Sequence, residues 1–236
     1  LRIGAFGSYF FRAIALLVTA PLFSLDALTL PIRIMLALVV TIFVYPLIQW
    51  PVIDPVTANG ILQIVNQLFI GAMMGLMLQV AVGALTLAGQ TISSSMGLSM
   101  ATLIDPAVGN VPVIAQFIII CSTLVFLGFG GHVIMLSMVL DSFRAVPIGE
   151  HILGQVAFGK VVAWSSMIFL GGVLIALPVM IALLFINIGL GVITRAAPTL
   201  NIFSVGFPAS IAAGFLVLIF AMDSIIGRIQ WLWMQA

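Results

Sequence analysis

"ILQIVNQLFIGAMMGLMLQVAVGALTLAGQTI" (residues 61–92) runs for 32 residues without a charge or a proline. About 20 apolar residues suffice for a helix to cross a bilayer. At 1.5 Å per residue this stretch would reach roughly 50 Å, against about 30 Å of hydrocarbon. A membrane barrel would need alternating polar positions and closed strands, and no such alternation is present. The stretch reads as a long membrane helix that must tilt, break or extend beyond the lipid.

The rest of the chain agrees. Of 236 residues, 64% are hydrophobic and 6% charged, whereas a soluble domain carries roughly 25% charged residues. Too few polar side chains remain to cover a soluble fold, so the class is integral membrane protein. Six apolar stretches are long enough to span: roughly 3–25, 32–50, 61–92, 111–140, 161–194 and 202–222. Polar or proline-bearing breaks separate them: "SLDALTLP" (24–31), "WPVIDPVTANG" (50–60), "GLSMATLIDPAVGNVPV" (97–113), "DSFRAVPIGEHILGQVAFGK" (141–160) and "RAAPTLN" (195–201). The 161–194 stretch is also overlong, and Pro178 is expected to kink it by removing a backbone donor. Tyr9, Trp50 and Trp164 lie near segment ends, and Trp231 and Trp233 follow the last one, as interfacial aromatics do. Arg12 sits near the middle of the first segment, where a charge faces a partner or water. No basic run followed by a short apolar core opens the chain, so no cleaved signal peptide is expected. The 141–160 connection divides the chain into a four-helix part and a terminal hairpin.

Catalytic constellations are missing. There is no GxxxxGK[ST] loop for a nucleotide. His132 and His151 lack the thiols or carboxylates a zinc site needs, and Cys121 is the single cysteine. "GFGGH" (128–132) lacks the GxGxxG spacing, and its glycines read as close packing inside an apolar helix. A net charge of +1 gives no attraction to nucleic acid. No enzyme activity, cofactor or metal is expected.

Several polar or small residues stand out from the apolar ground. Gly71 and Gly75 form GxxxG, a spacing that lets two helix backbones approach closely, within this chain or against another subunit. Gln63, Asn66, Gln67, Gln79 and Gln90 need partners at membrane depth, either other helices or a wet conduit. Met96 and Met100, one turn apart, are soft enough to seal an irregular gap, or they fill core. Between them and the next helix, Pro106 disfavours helix at Asp105, and Gly109, Asn110 and Pro112 keep the chain irregular. Irregular backbone at membrane depth is tolerated only when buried in protein or facing a water-filled cavity. The stretch is a surface connection or a re-entrant stopper.

Taken in order, "RAIALLVTAPLFS" (12–24), "AGQTISSSMGLSMATLIDP" (88–106), "FGGH" (129–132), "DSFRAVPIG" (141–149) and "AAPTLNIFSVGFP" (196–208) resemble the FliR family. That family belongs to the bacterial flagellar type III export gate and has an injectisome counterpart, SctT. The resemblance covers nearly the whole chain. It implies an all-α membrane fold of long, broken helices, with a FliP-like four-helix portion at 1–150 and a FliQ-like helical hairpin at 151–236. It implies inner-membrane partners: FliP and FliQ in a pore complex, FlhB and FlhA beside it, unfolded flagellar export substrates passing through, and lipid around it. It places a pore plug on Asp105, Pro106, Ala107, Val108, Gly109, Asn110, Val111 and Pro112. Met96 and Met100 are then sealing neighbours, and Gly71, Gly75 and Arg12 are expected in subunit packing. The position of Gln90 often holds an acidic residue in the family, so this chain departs there. "DSFRAVPIG" and "LNIF" favour the flagellar branch over the injectisome. A stand-alone secondary transporter, which broken helices and a buried arginine also suit, and a scaffold without pore contact are the alternatives.

Overall fold

A computed structural model describes residues 2–21, 29–47, 57–98, 112–148, 155–196 and 206–236. Among them are eight α-helices: α1 (Arg2–Thr19), α2 (Leu30–Val44), α3 (Ala58–Ser95), α4 (Val113–Gly128), α5 (Gly131–Ala145), α6 (Gln155–Ser165), α7 (Met167–Ala196) and α8 (Phe207–Gln235). Their ends follow from local chemistry. Pro31 opens α2, where its missing N–H costs nothing. Thr57 caps α3, its Oγ1 accepting from the Gly60 N–H at 3.2 Å. Thirty-eight residues without a proline then carry α3 to Ser95, roughly 57 Å at 1.5 Å per residue.

The six expected spans are corrected. Three described helical runs are long and apolar enough to cross a membrane: Ala58–Ser95, Phe158–Ala196 and Phe207–Gln235. A fourth exists if the broken pair α4 and α5 counts as one. The first two stretches fall short because their helices do: α2, with 15 residues, spans roughly 22 Å against about 30 Å of hydrocarbon. The 111–140 stretch is not one helix. Gly130 adopts φ 71°, a left-handed conformation that glycine takes without penalty, and α5 starts afresh after it. Added side chains at Gly128 and Gly130 would meet nothing within 4 Å, so these glycines break the helix rather than pack it. Pro178 lies inside α7, which continues through it.

The chain divides into two compact units, Leu1–Val80 with Leu127–Ser165, and Ala81–Phe126 with Ser166–Ala236. These are units of packing, distinct from the division at residue 150 by likeness. In the first, α1 packs on α2, and Tyr9, Leu16 and Leu17 of α1 are buried. Tyr9 meets Phe143 edge-on at 4.7 Å between centroids, so its place is a protein core and not a lipid interface. Trp164 turns its indole N–H to the Met77 carbonyl, 3.4 Å away. In the second unit, α7 packs on α8, and Leu85, Ile92, Met96, Ile118, Val179 and Ile229 belong to one buried cluster. Small residues also bring α7 close to α3: a side chain at Gly172 would meet the Ala84 carbonyl at 3.1 Å. The outer faces stay apolar, with Phe43 73%, Phe185 69% and Phe220 85% exposed. Lipid or protein must cover such faces.

Candidate functional site

The break at 97–113 is held at both ends by the second unit. On its near side α3 stops in a Schellman motif. The Leu98 N–H returns to the Ser93 carbonyl at 3.1 Å, the Gly97 N–H returns to Ser94 at 3.0 Å, and Gly97 takes φ 83°. Met96, just before the turn, is fully buried. A Cβ at Gly214 of α8 would come within 2.6 Å of its Cγ, so the methionine occupies space only a glycine leaves. On the far side the Gln116 N–H reaches the Pro112 carbonyl at 3.2 Å, and Ile114 and Ala115 are buried. There α4 lies so close to α3 that a Cβ at Gly89 would collide with the Ala115 Cα. Of the eight expected plug residues Pro112 is described, half-buried at the foot of α4. Residues 105–111 and Met100 lie outside the described residues.

Asn187 was not singled out by sequence. Its Nδ2 donates to the Ser95 carbonyl at 3.3 Å, and its Oδ1 accepts from the Ser210 hydroxyl at 3.1 Å. It joins α7, the end of α3 and the start of α8 in one polar contact. The signal was present: a single amide in an otherwise hydrocarbon helix requires a partner.

Arg12 is 1% exposed, and its described acceptors are an amide, two carbonyls and a hydroxyl rather than a carboxylate. Its Nε donates to Gln67 Oε1 at 2.7 Å. Its Nη1 donates to the Ser142 carbonyl at 2.8 Å and the hydroxyl at 3.2 Å, and Nη2 donates to the Val146 carbonyl at 3.0 Å. The guanidinium also lies over the Phe143 ring, 4.1 Å from its centroid. The last carbonyls of a helix lack intrahelical donors and carry partial negative charge. Arg12 of α1 therefore caps the C-terminus of α5, and Gln67 of α3 holds the fork in place. Among the amides singled out by sequence, Gln67 and Asn66 are buried, whereas Gln79 and Gln90 are exposed.

Gly71 and Gly75 bear on the same helix. A Cβ at Gly71 would meet the Arg12 carbonyl and come within 2.8 Å of Ala15 Cβ, and one at Gly75 would meet Thr19 Oγ1. Both glycines thus admit α1 within this chain. Leucine at either position is expected to lower the chain's abundance in the membrane whether or not partner subunits are present. Quantitative blotting of membranes checks this, and a loss seen only with partners present would move the contact between subunits.

Among the described residues, no group of three or more His, Cys, Asp or Glu is placed to hold a metal. His132 is exposed, and His151 lies outside the described residues.

The family model for bacterial export proteins, family 1, matches residues 3–236. The chain belongs to the FliR family. It is 37% identical over 210 residues to the flagellar biosynthetic protein FliR of Pectobacterium carotovorum subsp. carotovorum, covering 89% of this chain and 80% of that protein. It is 36% identical over 204 residues to FliR of Escherichia coli K12, covering 86% and 78%, and 30% identical over 225 residues to FliR of Bacillus subtilis 168, covering 94% and 87%. A FliR-family chain is a non-enzymatic component of the bacterial flagellar export gate in the inner membrane. The flagellar branch favoured by "DSFRAVPIG" and "LNIF" is where these relatives lie, and the stand-alone transporter is set aside.

Proposed function

We propose that this FliR-family chain closes the export conduit with residues 105–112. It forms a helical pore with FliP and FliQ, works beside FlhB and FlhA, and controls passage of unfolded flagellar substrates. Residues 1–150 take the FliP-like role and 151–236 the FliQ-like hairpin, so one chain completes the ring. Met96 and Met100 flank the near root of the closing segment as its apolar seal. The observation that carries this reading is the rooting of both ends of the break: Met96 and Ile114 belong to the same buried cluster, with Gly89 fitted against Ala115 between them. A plain surface connection does not need roots held to side-chain precision. A stopper does, because a small displacement at its base becomes a large one at its tip.

Deleting 106–111 is expected to leave the gate assembled but leaky. Cells that express it without hook and rod should admit small ions or dyes that the parent excludes. An assembled deletion variant as tight as the parent would overturn the proposal.

A further inference from the structure

We propose that Asp223 of α8 is the anion of an inter-subunit ion pair, met by a lysine or arginine on a membrane helix of another export-apparatus subunit. The inference stands apart from residues 105–112 and from how the conduit closes.

α8 buries one side and leaves the other bare. Ser210, Gly214, Leu218, Ile225, Ile229 and Leu232 are buried. Leu216, Ile219, Phe220 and Met234 are exposed, and so is Asp223. Asp223 follows Leu216, Ile219 and Phe220 by seven, four and three residues, so it stands within their stripe. The helix is a candidate membrane span of 29 residues, and about 20 suffice to cross the hydrocarbon. The first such window ends at residue 226 and the last begins at residue 216, so every one contains Asp223. Whether lipid or protein covers this face, the carboxylate is covered with it.

A charge so placed requires a partner or water. Among the described residues no ion pair or hydrogen bond reaches Asp223. Arg12 is engaged at the end of α5, and Arg144 pairs with Asp141. Arg228 lies five residues further along α8, about 140° around the helix, whereas side chains meet at i+3 or i+4. Arg195 ends α7 beyond Asn187, whose contact with Ser210 lies near the start of α8. The counter-charge therefore comes from outside the chain.

One turn past Asp223 on the same face is Gly227, where an added Cβ would meet nothing within 4 Å. A glycine on an exposed membrane face lets another helix approach closely. Lipid alone would leave the charge uncompensated, and a watery wall does not suit a stripe of Leu216, Ile219 and Phe220. A helix with a long basic side chain satisfies both demands, because its stem lies along the apolar stripe while its head reaches the carboxylate. The pair also selects its partner, since an apolar helix without the cation leaves Asp223 buried and unpaired.

The test compares the full chain expressed alone with the chain co-expressed with the whole export apparatus. Blotting of membranes reads the chain, and native gels read the assembled complex. Alone, Asp223→Leu should accumulate at least as well as the parent, because no contact within the chain is lost. With partners, Asp223→Leu and Asp223→Lys should lower the assembled complex by about tenfold or more, since breaking a buried ion pair strands the other charge. Asp223→Asn still accepts from a cation and should fall between. Parental assembly of Asp223→Leu overturns the inference, and so does its loss from membranes when expressed alone. A second measurement leaves Asp223 untouched. Benzoylphenylalanine in place of Phe220 is photo-crosslinked in the assembled complex, and the attached peptide is sequenced. The expected peptide belongs to another subunit and carries Lys or Arg within one helical turn of the crosslink. Changing that cation to Asp should restore assembly to Asp223→Lys, and failure to restore it overturns the pairing. Adducts to lipid alone, to a second copy of this chain, or to a stretch without Lys or Arg overturn it as well.

Discussion

Arg12→Leu is expected to prevent the folded chain from accumulating in the membrane, the largest effect of any single side-chain change in the first unit. Removing the guanidinium leaves Gln67 Oε1 and the Val146 carbonyl without the donors that reach them now. Orphaning the buried Gln67 acceptor costs about 1–3 kcal/mol, and the half-buried Val146 carbonyl less. The stacking on Phe143 adds about 0.5–2 kcal/mol. Ser142 fares better, because its carbonyl also accepts from the Val146 N–H at 3.0 Å. Leucine does recover the desolvation cost of a buried cation, and replacing a whole buried polar set by apolar groups is often neutral. Here the partners stay polar, so the recovery is partial. The sum is comparable with the 5–15 kcal/mol that holds a typical fold together. Arg12→Lys should fall between parent and leucine, since one ammonium cannot span Gln67 and Val146 as a planar fork does. Adding Gln67→Leu to Arg12→Leu should restore about 1–3 kcal/mol by deleting one orphan. Quantitative blotting of membranes reads accumulation in all four proteins, and thermal unfolding in detergent ranks those that accumulate. Parental stability in Arg12→Leu would mean that the charge does not cap α5.

Much of this was readable from residues, and the limits have physical causes. Hydropathy alone located α3, because nothing between Asn66 and Ser95 interrupts a helix. The break at Gly130 escaped, because hydropathy is blind to the sign of φ and "GFGG" reads equally as a packing motif. The two N-terminal apolar stretches looked long enough to span because hydropathy runs on past the helix ends, although Pro21 just beyond Thr19 and Pro46 just beyond Val44 mark where the helices stop. Tyr9 shows the same weakness from the other side. A tyrosine near a segment end suits a lipid interface, and only the position of Phe143, far along the chain, reveals a protein core.

For the site, need was legible and identity was not. Arg12 at mid-segment demanded a partner, but two of its acceptors are main-chain carbonyls, which every residue has and no sequence pattern marks. The spacing of Gly71 and Gly75 announced a close helix, and α1 proved to be that helix. Asn187 carried the same signal as the amides of α3, a polar group in hydrocarbon, but stood alone rather than in a series. The proposal that 105–112 closes the gate rests on family resemblance, because residue chemistry alone did not supply it.

Gly89→Val is expected to be the most damaging change in the second unit, and Gly83→Ala, six residues earlier on α3, nearly silent. The contrast lies in what each new Cβ would meet. At Gly83 the nearest atom is Ile168 Cγ1 at 3.4 Å, the movable part of a side chain at nearly ordinary contact distance. Alanine there also favours helix by about 1 kcal/mol. At Gly89 the Cβ falls on the Ala115 main chain, with its nitrogen and its Cβ both at 2.7 Å. A backbone cannot rotate aside as a rotamer does, so α3 and α4 must separate by roughly 1 Å to regain normal contact. Overpacking of this kind costs about 1–3 kcal/mol, and more where the neighbours are rigid. Valine's two γ-carbons enlarge the displacement. That separation falls at the common root of the break, within reach of Ile92, Met96 and Ile114, members of the cluster that holds both ends. Gly89→Ala should therefore lower the melting temperature of the gate by several degrees, on the order of 2–4 °C per kcal/mol for a chain of this size. Gly89→Val should go further and admit dye where the parent excludes it. Equal melting temperatures for Gly83→Ala and Gly89→Ala would show that α4 does not approach α3 this closely. A cold but tight Gly89→Val gate would separate the stability of the root from closure, because the two helices would then have moved apart without disturbing what lies between them.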